Sequence, residues 1–381
     1  MSIFDEIIDR NGTDCIKIDR YKKYGNAIPM WVADMDFKSP KCIIDALETR
    51  VKHGVFGYTD FDNETKKAFI DFTQRWHGWD IDKNWLVCPS GVVSSMNIVC
   101  GMLKENESVI TNTPIYPYFV TSAQNMKREV KTVKMHNFNN RWMFDFDEFE
   151  KAITKNTKLF FLCNPYNPGG TVFTKEELLK IADIAKKHDL IICSDEIHCD
   201  LVIDKNAKHI PIASLNDEVA NRTITLMAPS KTFNIAGLQS SFAVIKNETL
   251  RKEFISSMGH INGGVNLLGI TATKAAYSGG DEWLKELKVY LAQNLEILKE
   301  FVSKNPKIKF LSMQATYLAW LDCKELCENP YELFLKNGVI FNDGKGFISG
   351  GAGFVRLNFG TSRTVLFEVL KRMQKAIDSV K

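Results

Sequence analysis

Residues 228–240 read Ala228-Pro-Ser-Lys231-Thr-Phe-Asn-Ile-Ala-Gly-Leu-Gln-Ser240, directly after the apolar run Ile224 to Met227. The turn-forming Ala-Pro-Ser ends that run, Lys231 follows at once, and Thr232 to Gly237 leads towards a new strand, Ser241 to Ile245. A lysine at the rim of a buried strand is costly to keep charged. Desolvation lowers its pKa and turns a solvated cation into an amine nucleophile. Lysines of this kind form imines with carbonyl cofactors. A single lysine is more often a solvated loop residue, so the neighbouring sequence decides between the two readings.

On either side, short β-branched runs alternate with helical segments. Lys158 to Cys163 is a strand that runs into Asn-Pro-Tyr-Asn-Pro-Gly-Gly (164–170), and Leu190 to Cys193 is a strand that ends in Ser-Asp-Glu-Ile-His (194–198). Between them, Thr174 to Asp189 has a capping box (Thr174, Glu177) and an apolar stripe of Leu178, Ile181, Ala182 and Ala185. Trp85 to Cys88 turns through Pro-Ser-Gly-Val-Val (89–93) into a further helix, and Ser108 to Thr111 is another strand. Ser39-Pro40 opens a helix with Ile43, Ile44 and Leu47 on one face, followed by a helix over Glu64 to Trp76. This alternation predicts an α/β fold: a large domain with a mainly parallel sheet covered by helices on both faces. After Gly279-Gly280 a long charged helix (Glu282 to Lys304), strands and a final helix (Thr364 to Lys381) predict a smaller α+β domain. The expected division is an N-terminal arm, 1–40, joining the small domain; a large domain, 41–280; and the small domain, 281–381.

The 381 residues are 45% hydrophobic with a formal net charge of +3, which gives no basis for nucleic-acid or membrane binding. The acid-interrupted start, Met-Ser-Ile-Phe-Asp-Glu, does not read as a signal peptide, and no apolar run approaches membrane-spanning length. Nine cysteines without a CxxC pair read as reduced core residues of a cytoplasmic protein, and no metal site is expected.

In open α/β sheets ligands sit outside the carboxyl ends of the strands. Gly91, Asn167, Asp195 and Lys231 all fall at such ends. A buried carboxylate such as Asp195 can hold the proton on a pyridine nitrogen, although Asp after a strand also caps helices. Asn167 can donate its amide to a ring oxygen while serving as a turn residue. His198 faces the same region if the chain stays near-helical, and could bond the same oxygen or be purely structural. The N–H groups of Gly91, Val92 and Val93 at a helix start suit a phosphate, with hydroxyls from Ser230 and Tyr58. Tyr116, between prolines in Thr-Pro-Ile-Tyr-Pro-Tyr-Phe, is stiff enough to stack on a ring or to pack in the core. Arg356 lies among apolar neighbours in Gly-Phe-Val-Arg-Leu-Asn-Phe-Gly and needs a carboxylate, from a substrate or from an internal Asp or Glu.

Taken with Pro-Met-Trp-Val-Ala-Asp-Met-Asp-Phe (29–37) and Phe-Gly-Tyr-Thr (56–59), these motifs resemble pyridoxal-phosphate (PLP) enzymes of the class I/II aminotransferase superfamily, fold type I. The resemblance spans nearly the whole chain and is nearest to the MalY/PatB-type carbon–sulfur β-lyases (cystathionine β-lyases). It implies a PLP cofactor on Lys231, Asp195 at the pyridine nitrogen, Tyr116 on the ring, Asn167 at the ring hydroxyl and Arg356 on the substrate carboxylate. It also implies a place for Ala33 and Tyr58 beside the substrate, and a homodimer in which Tyr58 reaches the neighbouring subunit's phosphate. The implied reaction is β-elimination from a sulfur amino acid. An aminotransferase is the alternative, and a regulatory partner-binding role a second one. Many superfamily members carry an arginine eight residues after the lysine and a serine three before it. Gln239 and Ala228 stand there in this chain, so another cation must approach the phosphate or cofactor affinity is modest.

Overall fold

The computed structural model describes residues 2–259 and 264–380. In chain order its strands are β1 (Ile28–Pro29), β2 (Leu86–Val87), β3 (Ser108–Thr113), β4 (Glu129–Phe138), β5 (Arg141–Phe144), β6 (Thr157–Cys163) and β7 (Ile191–Asp195). They continue with β8 (Thr223–Met227), β9 (Phe242–Val244), β10 (Lys309–Phe310), β11 (Leu318–Asp322), β12 (Val339–Ile340), β13 (Asn342–Asp343) and β14 (Phe354–Asn358). The large sheet has the order β2-β9-β8-β7-β6-β3-β4-β5. Its central run from β4 to β8 is parallel, with β9 and β2 antiparallel at one edge and β5 at the other. A second sheet, β10-β11-β14-β13, is antiparallel. The fold is that of class I/II PLP-dependent transferases: a large mixed sheet covered by helices, with a small antiparallel sheet beside it.

Period-two alternation divides the core into two layers. In β8 and β9, Ile224, Leu226 and Ala243 enter one apolar cluster, while Met227, Phe242 and Val244 enter the other. The second cluster continues into the helices Lys41–His53, Asn63–His77, Leu267–Gly279 and Asp281–Ser303 and on to the small sheet. Phe69 stacks on Phe242 at 4.0 Å there. The β4–β5 hairpin turns at Asn139 and Asn140, with φ of 49° and 63°, a left-handed pair that asparagine tolerates.

Two local expectations need correcting. Ile44 is 40% exposed, although its neighbours Ile43 and Leu47 do pack against the core. Strand β7 runs to Asp195 rather than Cys193, because Ser194 and Asp195 still pair with Leu162 and Cys163 of β6. Asp195 is therefore the last residue of a strand and sits on fixed backbone.

The chain before residue 40 has little regular structure and is fastened by side chains. Phe4 is buried against Phe37, Trp283 and Tyr290. β1 pairs in parallel with β12, and Met30 bridges Ile340 and Asn358 through its backbone. Arg10 holds Asp34 at 2.7 Å and Asp36 at 2.9 Å, and the buried Lys17 holds Asp36 at 2.7 Å. Burial pushes the Asp36 carboxyl up, but Lys17 and Arg10 outweigh it and leave its pKa below the ordinary value. A depressed carboxyl stabilises the folded arm above its unfolded pKa and loses that contribution as pH falls through the folded one. Arm cleavage in limited proteolysis is therefore expected to rise below about pH 4, and Asp36→Asn should show the same cleavage at neutral pH.

Candidate active site

Four parallel strands deliver their C-terminal ends to one cavity of about 370 Å³. Its walls include Ala33, Gly91, Val92, Val93, Tyr116, Asn167, Asp195, His198, Ser230 and Lys231. Ten residues read as candidates from sequence thus share one space, although they are spread over almost 200 positions. Gly91 ends the turn after β2 and N-caps the helix Val92–Met102, so the first N–H groups of that helix have no intrahelical acceptor. A Cβ added at Gly91 would meet only Ser94 Oγ, at 3.9 Å, so the backbone approach there is open.

Lys231 stands in the one-turn helix Pro229–Thr232, just beyond β8. Its Nζ donates to Ala33 O at 2.8 Å. Burial lowers its pKa to about 8; Asp34 and Asp195 oppose the shift and Arg356 adds to it. Burial acts the other way on Asp195, raising it to about 7 against the Ile197 N–H that its Oδ1 accepts at 3.0 Å. His198 is driven down to about 3 by burial and by the charges of Lys231 and Arg356, so its ring is neutral. Its Nδ1 is buried without a hydrogen-bond partner, and its ring meets Tyr317 edge-on at 6.3 Å. Burial likewise raises Tyr116 to about 12 and keeps the phenol protonated.

Arg356, on β14, does not itself line this cavity but bonds Asn167, which does, and no ion pair to it occurs among the described residues. Its guanidinium contacts neutral oxygens instead: Asn167 Oδ1 at 3.1 Å, Trp31 O at 3.1 Å and Asn342 Oδ1 at 2.6 Å. It also lies 5.0 Å from the Phe347 ring centre. Burial lowers its pKa only to about 10, so it remains a cation. The reading in which an internal Asp or Glu neutralises Arg356 finds no support in these contacts. Since Asn167 Oδ1 accepts from Arg356, the amide NH₂ of Asn167 is turned away from the guanidinium.

Tyr58 is different. It is fully exposed and does not line the cavity of its own chain. Gln239 does line it, in a left-handed conformation with φ of 50°, and Lys231 is the only Lys or Arg among the described lining residues. An anion here meets helix N–H groups and the hydroxyl-bearing Ser230 and Ser240, with no second Lys or Arg among the described lining residues. Sequence reasoning missed Tyr317 and Asn342. Tyr317 donates to Ala33 O at 2.9 Å, sharing that oxygen with Lys231, and Asn342 is the cross-strand partner of Arg356. The alternation Phe341-Asn342-Asp343 put a polar residue next to apolar ones but carried no register to reveal that pairing.

The donor set fits a phosphorylated pyridine aldehyde on an observed feature: a buried His198 nitrogen without a partner and a buried carboxylate, Asp195, share the cavity with a lysine of lowered pKa.

Comparison with known proteins agrees with this geometry. The model of the family "Aminotransferase class I and II" matches residues 27–373. Cystathionine β-lyase PatB of Bacillus subtilis is 37% identical over 98% of this chain and 99% of its own length. Protein MalY of Escherichia coli is 32% identical over 99% of both chains. The PLP-bound C–S lyase from Staphylococcus hominis superposes with a TM-score of 0.91 at 34% identity, covering 98% of this chain and 97% of that one. The chain belongs to the class I and II aminotransferase family.

Proposed function

We propose that this protein is a PLP-dependent carbon–sulfur lyase that carries out β-elimination on a sulfur amino acid such as L-cystathionine. One water is taken up, and the products are pyruvate, ammonia and a thiol. The observation that carries the reading is Arg356: a buried cation set among neutral oxygens, beside a lysine of lowered pKa. That arrangement suits an amino acid, whose α-carboxylate supplies the missing negative charge. The choice of lyase over transaminase rests on the likeness to PatB and the S. hominis lyase.

When bound, PLP supplies an electron sink for the pair left at Cα. The residues of the chain do the rest. Lys231 Nζ takes the Cα proton as general base, and a pKa near 8 leaves part of it neutral at working pH. Arg356 fixes the carboxylate and so the direction of the Cα–H bond. Asp195, Tyr116, Asn167 and His198 would hold the pyridine ring, with Asp195 keeping its nitrogen protonated, Tyr116 offering a face to stack on, and Asn167 and His198 offering polar groups to its oxygen. Gly91, Val92, Val93 and Ser230 would hold the phosphate; a helix terminus offers about half a charge against nearly two on phosphate, so either another cation approaches or cofactor affinity is modest.

Ala33 borders the substrate through its carbonyl. Tyr58, with Val51, Val55 and Phe56, is exposed on the helix Lys41–His53 and the loop after it. That apolar set suits a homodimer in which Tyr58 enters the partner's phosphate site. Nine free thiols suit a reducing compartment such as the cytoplasm, and no described helix is long and apolar enough to cross a membrane.

Purified protein incubated with L-cystathionine, without a keto acid, is expected to release pyruvate and free thiol in equal amounts. Amino transfer to an added keto acid, with no pyruvate, would make it an aminotransferase. Lys231→Ala should abolish pyruvate formation. Arg356→Ala should lower kcat/KM by about 10²–10³-fold, the cost of losing about 3–4 kcal/mol of buried charge pairing. In cofactor-free protein, amine-directed labelling of Lys231 should reach half its maximum near pH 8, whereas ordinary lysines do so above about pH 10; peptide mapping by mass spectrometry reads both.

A further inference from the structure

On the far side of Asp195 and Lys231 lies a second group of buried ionisable residues that the proposed chemistry does not use. Asp200 Oδ2 accepts from Thr232 Oγ1 at 2.6 Å, and its Oδ1 pairs with His77 Nε2 at 2.7 Å. Cys199 Sγ adds a weak contact to Oδ1 at 3.4 Å. Glu196 is held in the same manner: His209 Nε2 at 2.7 Å on Oε2, with Ser194 Oγ at 2.8 Å and the Ile212 N–H at 3.2 Å on Oε1. The two imidazoles meet edge to face at 5.4 Å. Every side chain of these two carboxylate–histidine pairs is buried.

The placement of this group is what gives it meaning. Glu196 follows Asp195 and Thr232 follows Lys231, and neither Glu196 nor Thr232 lines the cavity. Asp200 stands on the turn after β7, and its bond to Thr232 joins that turn to the one after β8. Burial pushes the Asp200 carboxyl up, yet its His77 and Thr232 donors outweigh burial and keep it an anion. A buried anion held by so few donors is sensitive to the loss of any one of them. The nearest atoms of His77, Cys199 and Asp200 lie within 4.8 Å of one another, but hydrogen bonds within the set already engage them, which suits a tether better than an open metal site.

We infer that Thr232 and Asp200 are positioning residues: their hydrogen bond, backed by His77, fixes Lys231 relative to Asp195. The inference rests on the reading of those two residues as the cofactor-bearing pair. Its test compares Thr232→Val, which keeps the shape and loses the donor, with Thr232→Ser, which keeps the donor, in protein reconstituted with PLP. For the folded valine variant we expect kcat to fall 10- to 100-fold with KM within twofold. The pH midpoint of the visible band of bound cofactor should move by half a unit or more, and serine should restore both. A valine variant with the wild-type band titration and wild-type kcat overturns the inference, as does one whose only change is a lower melting temperature. If valine prevents folding, Thr232→Cys, a weak donor, replaces it: reduced kcat beside a normal serine variant supports the tether, and equal kcat in the two overturns it. Wild-type protein that binds PLP but forms no pyruvate defeats the lyase assignment alone, because the band titration needs no substrate. Wild-type protein that forms no visible band defeats the reading of Lys231 itself, and this inference with it.

Discussion

The carbonyl groups of residues 31–37 have no strand partner, and buried backbone oxygens must be paired with something. They find their donors in side chains from elsewhere in the chain, of which Lys231 lines the cavity. Trp31 O accepts from Arg356, Val32 O and Asp34 O from Asn358, Ala33 O from Lys231 and Tyr317, and Met35 O and Phe37 O from Asn234. One irregular segment therefore sets the position of the lysine, the arginine and the tyrosine between them. The cost of this arrangement is visible in Thr316, a β-branched residue at φ 73°, next to Tyr317. Its N–H bonds Leu201 O on the turn after Asp195, so the strained residue ties the small sheet to that turn.

Burial is also the main electrostatic force in the site. It is the largest cause of the shifts at Lys231, Asp195 and His198, and it brings a base and an acid of opposite charge type to within about a unit of each other. Each unit corresponds to about 1.4 kcal/mol of differential stabilisation. Shifts of this size reflect burial at the four strand ends, where Ala33 of the N-terminal segment also lines the cavity. The ion cluster of Arg10, Lys17, Asp34 and Asp36 holds that segment in place and also sets a negative charge, Asp34, near Lys231. The arm thus tunes the lysine as well as lining its cavity.

What could be read from the sequence followed from a single rule. Strands of the large sheet show as apolar runs, and residues at or just past their ends line the cavity, so the meeting of Gly91, Asn167, Asp195 and Lys231 there was legible without any contact information. Arg356 was legible because a cation inside an apolar strand needs a reason to be there. What escaped were pairings between distant segments: Asn234 with Met35, Tyr317 with Ala33, and His77 with Asp200, which is 123 residues away. Each of these residues is an ordinary polar side chain in its local context. Ile44 was misplaced because three apolar residues on a helix face do not reveal how far the neighbouring elements cover it. Tyr58 poses a related problem, since its side chain is fully exposed in its own chain.

Arg356 brings these threads together. The same guanidinium holds the arm through Trp31, the small sheet through Asn342 and the large domain through Asn167. All three partners are neutral, so they accept from the guanidinium without cancelling its positive charge. The three contacts use one Nη1 and two Nη2 donors, while Nε is buried without a partner, so the fork is not saturated by them. An internal glutamate would have closed the site by satisfying the arginine. Three weak oxygens keep it ordered and charged without satisfying it. A buried cation held by neutral acceptors keeps its charge uncompensated, and that is the property on which the proposed clamp for a substrate carboxylate rests.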